Sequence, residues 1–231
     1  MYYAKNNMKL LLTSAGLTNQ KITDKLFELV GKKPPDTTVA YIPTAMNPES
    51  GDKTWLLDKL NELKHTGIKE LDIVDIAALT RDEWEPRLMN ADVLSFSGGD
   101  TEYLAHHVET SGLSVLLPEL LKKRVYVGES AGSILTGLSL ITSSPETKKF
   151  ITSNYEYRSR EGLKFVPFYV RSHYQSPAFP FAAKEILEDI AKHLDDPIYA
   201  LDDQSALAIV DGEVEEVGEG TIQIFTNKID S

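Results

Sequence analysis

Short apolar runs alternate with segments of helical spacing along nearly the whole chain from Met8 onward. Lys9-Leu-Leu-Leu-Thr13 reads as a first strand that breaks at Ser14-Ala-Gly16. Asn19 to Val30 carries Ile22, Leu26 and Leu29 at the three- and four-residue intervals of one helix face. Thr38-Val-Ala-Tyr-Ile42 predicts a second strand, closed by Pro43. Residues 52 to 65 gather Trp55, Leu56, Leu60 and Leu63 on one side of a helix. Glu70 to Ile76 alternates as a strand does, and helical spacing returns in the 80s. Asp92-Val-Leu-Ser-Phe96 predicts a strand running into Ser97-Gly-Gly-Asp100. One helix, or a broken pair, follows over about 101 to 123.

The last third changes texture. Residues 150 to 180 are rich in Tyr, Arg, Pro and Ser, as loops that build a site often are. Phe181 to Leu194 is helical in pattern, and Ile198 to Val217 reads as antiparallel strands turning at Asp211-Gly212. Thr221 to Phe225 forms a final edge strand. Strand–helix alternation predicts an α/β fold, a mostly parallel sheet covered on both faces, with antiparallel strands at the C-terminal end. Nothing marks a domain boundary, so residues 8–231 are expected to form one domain behind a short extension, residues 1–7.

At 231 residues, 42% hydrophobic and 26% charged, the chain has the composition of an ordinary globule. No apolar run approaches the roughly 20 residues of a membrane helix. Met1 to Asn7 lacks the apolar stretch of a signal peptide, so a cytoplasmic protein is expected. The absence of cysteine removes disulfides, thiolate metal sites and a thiol nucleophile. The net charge of −11 disfavours a surface that tracks nucleic-acid phosphates. An acidic ligand would need locally placed arginines to overcome that field.

The chemistry concentrates in Val125-Tyr-Val-Gly-Glu-Ser-Ala-Gly-Ser133. A β-favouring run enters Gly-x-Ser-x-Gly and a helical pattern follows, the layout of a nucleophile elbow. Gly128 and Gly132 remove side-chain atoms that would collide at such a turn. Ser130 is then the candidate nucleophile. Ligands of open parallel sheets sit beyond the carboxyl ends of the strands, which brings in the Ser97-Gly-Gly-Asp-Thr101 turn. The N–H groups of Gly99 and Ala131 are the candidate oxyanion donors. A serine needs a base. Among five histidines, only His173 follows the elbow at a strand end, within Tyr169-Val-Arg-Ser-His-Tyr-Gln175. The third member is more open: Glu146 ranks first, with Asp202 and Asp203 at another strand end as alternatives.

Taken in order, the strand Lys-Leu-Leu-Leu-Thr-Ser, the turn Ser-Gly-Gly-Asp-Thr, Gly-Glu-Ser-Ala-Gly and Ser-His-Tyr resemble peptidase family S51. That family includes dipeptidase E and cyanophycinase. The resemblance covers nearly the whole chain from Met8. It implies a three-layer α/β/α fold similar to the class I glutamine amidotransferases, with Ser130 and His173 as catalytic pair and Gly99 and Ala131 as oxyanion donors. The family's acidic partner lies between them, where Thr142-Ser-Ser-Pro-Glu-Thr147 offers Glu146 out of register. The Asp202-Asp203 strand end is similar to an acidic turn of cyanophycinases.

Dipeptidase E-like members take peptides with an N-terminal aspartate, so Arg171, Arg158 and Arg160 are candidate partners for a substrate carboxylate. Asp100 joins them as a candidate substrate contact. The expected activity is hydrolysis of short peptides, most simply Asp-X dipeptides, through an acyl-enzyme. No metal or organic cofactor is implied. The expected partner is a small peptide, neither nucleic acid nor membrane, and a homodimer through the C-terminal strands is left open. The rival readings are a cyanophycinase-like or broader exopeptidase, an α/β-hydrolase esterase, and a silent binding domain. The esterase is disfavoured because His173 follows Ser130 too closely for an intervening acid-bearing sheet extension. Glutamine amidotransferase activity would need a cysteine at position 130.

Overall fold

A computed structural model of the protein describes residues 7–143 and 161–227. Five strands form a parallel set: β1 Lys9–Thr13, β2 Thr38–Ile42, β3 Glu70–Ile73, β4 Val93–Phe96 and β5 Val125–Glu129. β6 Tyr169–Arg171, β7 Ile198–Leu201, β8 Ser205–Val210, β9 Glu213–Gly218 and β10 Ile222–Phe225 complete the strands. The main sheet runs β3-β2-β4-β5-β1-β8-β9, with β8 and β9 antiparallel to their neighbours. A second sheet runs β10-β7-β6.

The apolar runs of the central strands follow from burial on both faces. Leu10 and Leu12 of β1 pack into one core with Ile42, Leu94, Phe96 and Tyr126. Leu11 points the other way, to Val39, Tyr41, Val93, Val125 and Val127. Period-two side-chain direction thus splits one apolar run between two cores. Helices α1 Gln20–Val30, α2 Thr54–His65, α3 Arg81–Asn90, α4 Thr101–Thr110, α5 Leu113–Leu120 and the short α6 Ala131–Ile134 follow the parallel strands. Ile22, Leu26 and Leu29 of α1 fill the second core, as their spacing predicts. Asn19 caps that helix by accepting from the Ile22 N–H, and Gly31 closes it at φ 72°. The three-layer α/β/α arrangement expected from the sequence is the one observed. Among the described residues, no helix is long and apolar enough to cross a membrane.

Two features differ from the sequence pattern, and one alternative it left open is decided. β3 stops at Ile73 because Asp75 turns the chain, its carboxylate accepting from Thr44 Oγ1, Asn47 Nδ2 and the Ala77 N–H. The helical stretch after residue 100 is a broken pair, α4 and α5, parted at Gly112 with φ 79°. β7 does not join the β8–β9 meander but pairs with β10 and β6. The Asp202 carboxylate enforces this, taking the N–H groups of Gln204 and Thr221 and the Ser205 hydroxyl. The β8–β9 turn lies at Asp211-Gly212 as expected, with φ of 53° and 90°. In the 181–194 segment, the helix α7 spans Lys184–Ala191.

Candidate active site

β5 ends at Glu129 and α6 begins at Ala131, so Ser130 alone makes the turn between them. Its φ of 48° and ψ of −104° lie outside the regions that side chains ordinarily occupy. The neighbours hold it there. The Ser130 N–H donates to the Thr13 carbonyl at 3.2 Å, and its carbonyl accepts the Ser133 and Ile134 N–H groups. Glycine is required on either side. A Cβ on Gly128 would lie 2.6 Å from the Ser133 nitrogen, and one on Gly132 would lie 2.5 Å from the Phe96 carbonyl oxygen. The expectation that these glycines relieve a collision at the turn is met, the collision being strand against helix start.

His173 follows β6 and also sits at positive φ, 61°. Its Nε2 is 2.9 Å from Ser130 Oγ. Its Nδ1 is 2.6 Å from Asp203 Oδ1. Phe179 stacks on the imidazole, with ring centroids 3.9 Å apart and planes 8° apart. Hydrogen bonding to His173 is the main cause holding the Asp203 carboxyl below the usual carboxylate range, helped by its charge and by the Ser14 and Ser176 hydroxyls. An ionised Asp203 accepts only, so Nδ1 carries a proton, and in the neutral ring Nε2 is the nitrogen that accepts from Ser130.

The topology explains how these three residues meet. β1 lies between β5 and β8, and Thr13 is paired with Glu129 on one side and Ala206 on the other. Because β8 is antiparallel, its start lies at the carboxyl end of the parallel strands. Asp203, just before that start, therefore reaches the edge where Ser130 emerges. Asp202 is the fold-holding member of the pair and Asp203 the one facing His173. Glu146, first in the sequence ranking, lies outside the described residues, and the carboxylate against Nδ1 is Asp203.

The Gly98-Gly99 turn closes on the same edge. Gly99 has φ 131°, and a Cβ there would lie 2.4 Å from the Ala45 carbonyl oxygen. Ser97 and Asp100 donate their N–H groups to the Ile42 and Ala45 carbonyls, while the Gly99 N–H has no acceptor among the described residues. Ala131 is the first residue of α6, where a backbone N–H has no intrahelical acceptor. Asp100 is buried, accepts the Tyr103 N–H at 2.8 Å and so caps α4. Burial raises its carboxyl above the ordinary range, with Glu49 adding to the rise.

Ser130 and His173 open into a cleft of about 300 Å³ that also meets Gly99, Asp100, Glu49 and Arg171. Arg171 is 3% exposed, and burial pulls its guanidinium down to about 10. One of its terminal nitrogens donates to the Thr142 carbonyl, while Nε has no partner among the described residues. Phe179, Pro180 and Phe181 form an apolar wall. Arg158 and Arg160 lie outside the described residues. Among those described, no group of three or more His, Asp or Glu side chains could hold a metal ion. Two neighbours of the site escaped the sequence reading. Phe179 had no signal beyond an aromatic in a Pro-rich loop. Ser14 had one, its place at the carboxyl end of the strand beside the Gly-x-Ser-x-Gly strand.

The chain from residue 10 to 217 matches the model of peptidase family S51. The protein belongs to that family and is a serine-type peptidase. It is 28% identical over 182 residues to an uncharacterized peptidase of Listeria monocytogenes, covering 77% of this chain and 84% of the relative. It is 33% identical over 118 residues to peptidase E of Shewanella oneidensis, about half of either chain (50% and 47%). A crystal structure from Listeria monocytogenes, described as a "Putative Peptidase E Protein", superposes with a TM-score of 0.74 at 25% identity. That match covers 93% of this chain and all of the other (100%). Family membership sets aside the α/β-hydrolase esterase.

Proposed function

We propose that the protein hydrolyses short peptides with an N-terminal aspartate through an acyl-enzyme on Ser130. The observation that carries this reading is the relay from Ser130 Oγ through His173 to Asp203, with contacts of 2.9 and 2.6 Å. Ser130 Oγ attacks the scissile carbonyl carbon while its proton passes to His173 Nε2. The oxyanion that forms takes hydrogen bonds from the Gly99 and Ala131 N–H groups. The C–N bond breaks as His173 returns the proton to the leaving amine. Water then attacks the ester carbonyl, giving a proton to His173, and the C–Oγ bond breaks as His173 passes that proton to Ser130 Oγ. Asp203 keeps the imidazole in the correct tautomer and offsets its charge while it is protonated. The turn at Ser130 serves as the nucleophile elbow.

The aspartate preference rests on Arg171. A buried guanidinium whose Nε has no partner among the described residues is costly unless an anion completes it, and Arg171 lines the same cleft as Ser130. A substrate side-chain carboxylate satisfies it. Glu49 and Asp100, on the same cleft, supply negative charge for the substrate's α-ammonium. The apolar wall of Phe179, Pro180 and Phe181 favours the rival reading, a broader exopeptidase.

A panel of dipeptides beginning with Asp, Glu, Leu, Ala or Lys separates these readings. Asp-X turnover that disappears in Ser130→Ala and His173→Ala is expected. Arg171→Met is expected to lower kcat/KM for Asp-X by about 10- to 100-fold, the worth of a charged hydrogen bond, and to leave Leu-X within about threefold. Equal turnover of Leu-X and Asp-X by the wild type would defeat the aspartate preference. No turnover of any peptide by folded wild type would favour a silent binding domain.

A further inference from the structure

We infer that Ser14 is a positioning residue of the catalytic relay, its hydroxyl fixing Asp203 and the His173 backbone in one geometry. This rests on the reading of Ser130, His173 and Asp203 given above. Ser14 is fully buried at the carboxyl end of β1. Its Oγ accepts the His173 N–H at 2.7 Å and lies 2.9 Å from Asp203 Oδ1. The direction of both bonds is determined by chemistry. A backbone N–H can only donate and an ionised carboxylate can only accept, so the single serine proton goes to Asp203. Oδ1 therefore receives two donors, the Ser14 hydroxyl and His173 Nδ1–H.

The strand supplies the precision. β1 is hydrogen-bonded to β5, which carries Ser130 at its end, and to β8, which begins just after Asp203. The Ser14 N–H also reaches the Ser205 carbonyl at 3.4 Å. One rigid strand end thus holds the base at its backbone and the acid at its side chain. Without the hydroxyl, Asp203 keeps a single donor on Oδ1 and can turn toward water, since its side chain is 40% exposed. His173, at φ 61°, loses the acceptor of its N–H. Ser14 does not line the cleft. Its loss should therefore slow the chemical step and leave binding alone.

Phosphonylation of Ser130 by a fluorophosphonate probe reads the relay without depending on peptide preference. The Ser130 Oγ–P bond forms, the P–F bond breaks with loss of fluoride, and His173 takes the serine proton. Mass spectrometry locates the adduct. Ser14→Ala is expected to lower the maximal rate about 10- to 100-fold, with half-saturation within about twofold of wild type. Ser14→Thr, which retains the hydroxyl, is expected to recover most of that rate. Ser14→Ala combined with Asp203→Ala is expected to be no slower than Asp203→Ala alone, since both changes break one unit. A wild-type rate in Ser14→Ala, or a fully additive loss in the double variant, would overturn the role of Ser14. If the alanine variant does not fold, Ser14→Cys keeps the shape with a weak donor, and a wild-type rate in it overturns the role equally. Failure of the parent reading looks different: wild-type labelling in Asp203→Ala or His173→Ala, or an adduct somewhere other than Ser130.

Discussion

Replacing Asp203 with asparagine removes one negative charge from the relay while preserving shape. The surroundings determine how the amide sits. Oδ1 now accepts His173 Nδ1–H at 2.6 Å and the Ser14 hydroxyl at 2.9 Å, and an amide carbonyl in that place keeps both. An amide nitrogen there would leave the buried Ser14 proton without an acceptor, a cost of about 1–3 kcal/mol. The nitrogen therefore takes the place of Oδ2, and the imidazole keeps its productive tautomer. What is lost is the attraction between the carboxylate and the imidazolium of the transition state. For unit charges about 4 Å apart at an effective dielectric of about 20, that is about 4 kcal/mol. Asp203 is 40% exposed on its side chain, and solvent screening reduces the figure to roughly 2–3 kcal/mol. The expected result is a fall in kcat of about 30- to 150-fold, with KM little changed. The assay is steady-state hydrolysis of the best dipeptide from pH 5 to 10. A variant within threefold of wild type would refute the relay. A loss nearer 10⁴-fold, the size of a wrong tautomer, would refute the amide orientation that Ser14 and His173 impose.

Two further outcomes follow from the same geometry. Gly99→Ala places a Cβ 2.4 Å from the Ala45 carbonyl oxygen at a φ of 131°. It is expected to lower stability in urea by roughly 2–4 kcal/mol and kcat by about 10²–10³-fold as an oxyanion donor shifts; wild-type values for both would show the turn to be dispensable. Glu129, buried beside the nucleophile, has its carboxyl pushed up to about 7 by burial, with Lys59 opposing and Glu62 adding to the rise. Between its ordinary value near 4.5 and about 7, the unfolded chain gives up this proton while the folded chain keeps it. Stability therefore falls as pH rises through that window, by roughly 3 kcal/mol in all. Glu129→Gln should remove that part of the pH slope in denaturant melts, and an unchanged slope would show that Glu129 is ionised in the folded protein.

Much of this arrangement was legible along the chain. The central strands β1, β2, β4 and β5 are buried on both faces and largely apolar, so their composition betrays them without any knowledge of partners. Asn19 and Gly31 bracket α1 by local backbone chemistry, and Asp211-Gly212 turns a hairpin for the same reason. Gly-x-Ser-x-Gly identifies Ser130 because the requirement for glycine is imposed by atoms only a few residues away, together with Phe96 of the neighbouring strand. His173 could be found by elimination among five histidines.

The carboxylate partner could not be found that way. Asp202 and Asp203 are adjacent and alike in sequence, yet one ties the β7–β8 turn to Thr221 and the other faces the imidazole. Which does which depends on strand pairing between residues that are remote in the chain. Glu146 ranked higher because it follows the candidate nucleophile in the segment before His173, a nearness in sequence that says nothing about distance across the sheet. Ser14 belongs to the same category, its contact with the His173 backbone being made across the fold, whereas Phe179 reaches the imidazole through the course of the short loop that follows His173. By itself, then, the sequence determined the layers, most of the strands and the sharp turn at Ser130, because those depend on local propensity, side-chain period and steric demand. Tertiary structure alone decided which carboxylate faces His173 and which hydroxyl stands behind that carboxylate. An antiparallel β8 beside β1 brings the start of one strand to the carboxyl end of another, and no local property of either segment encodes that meeting.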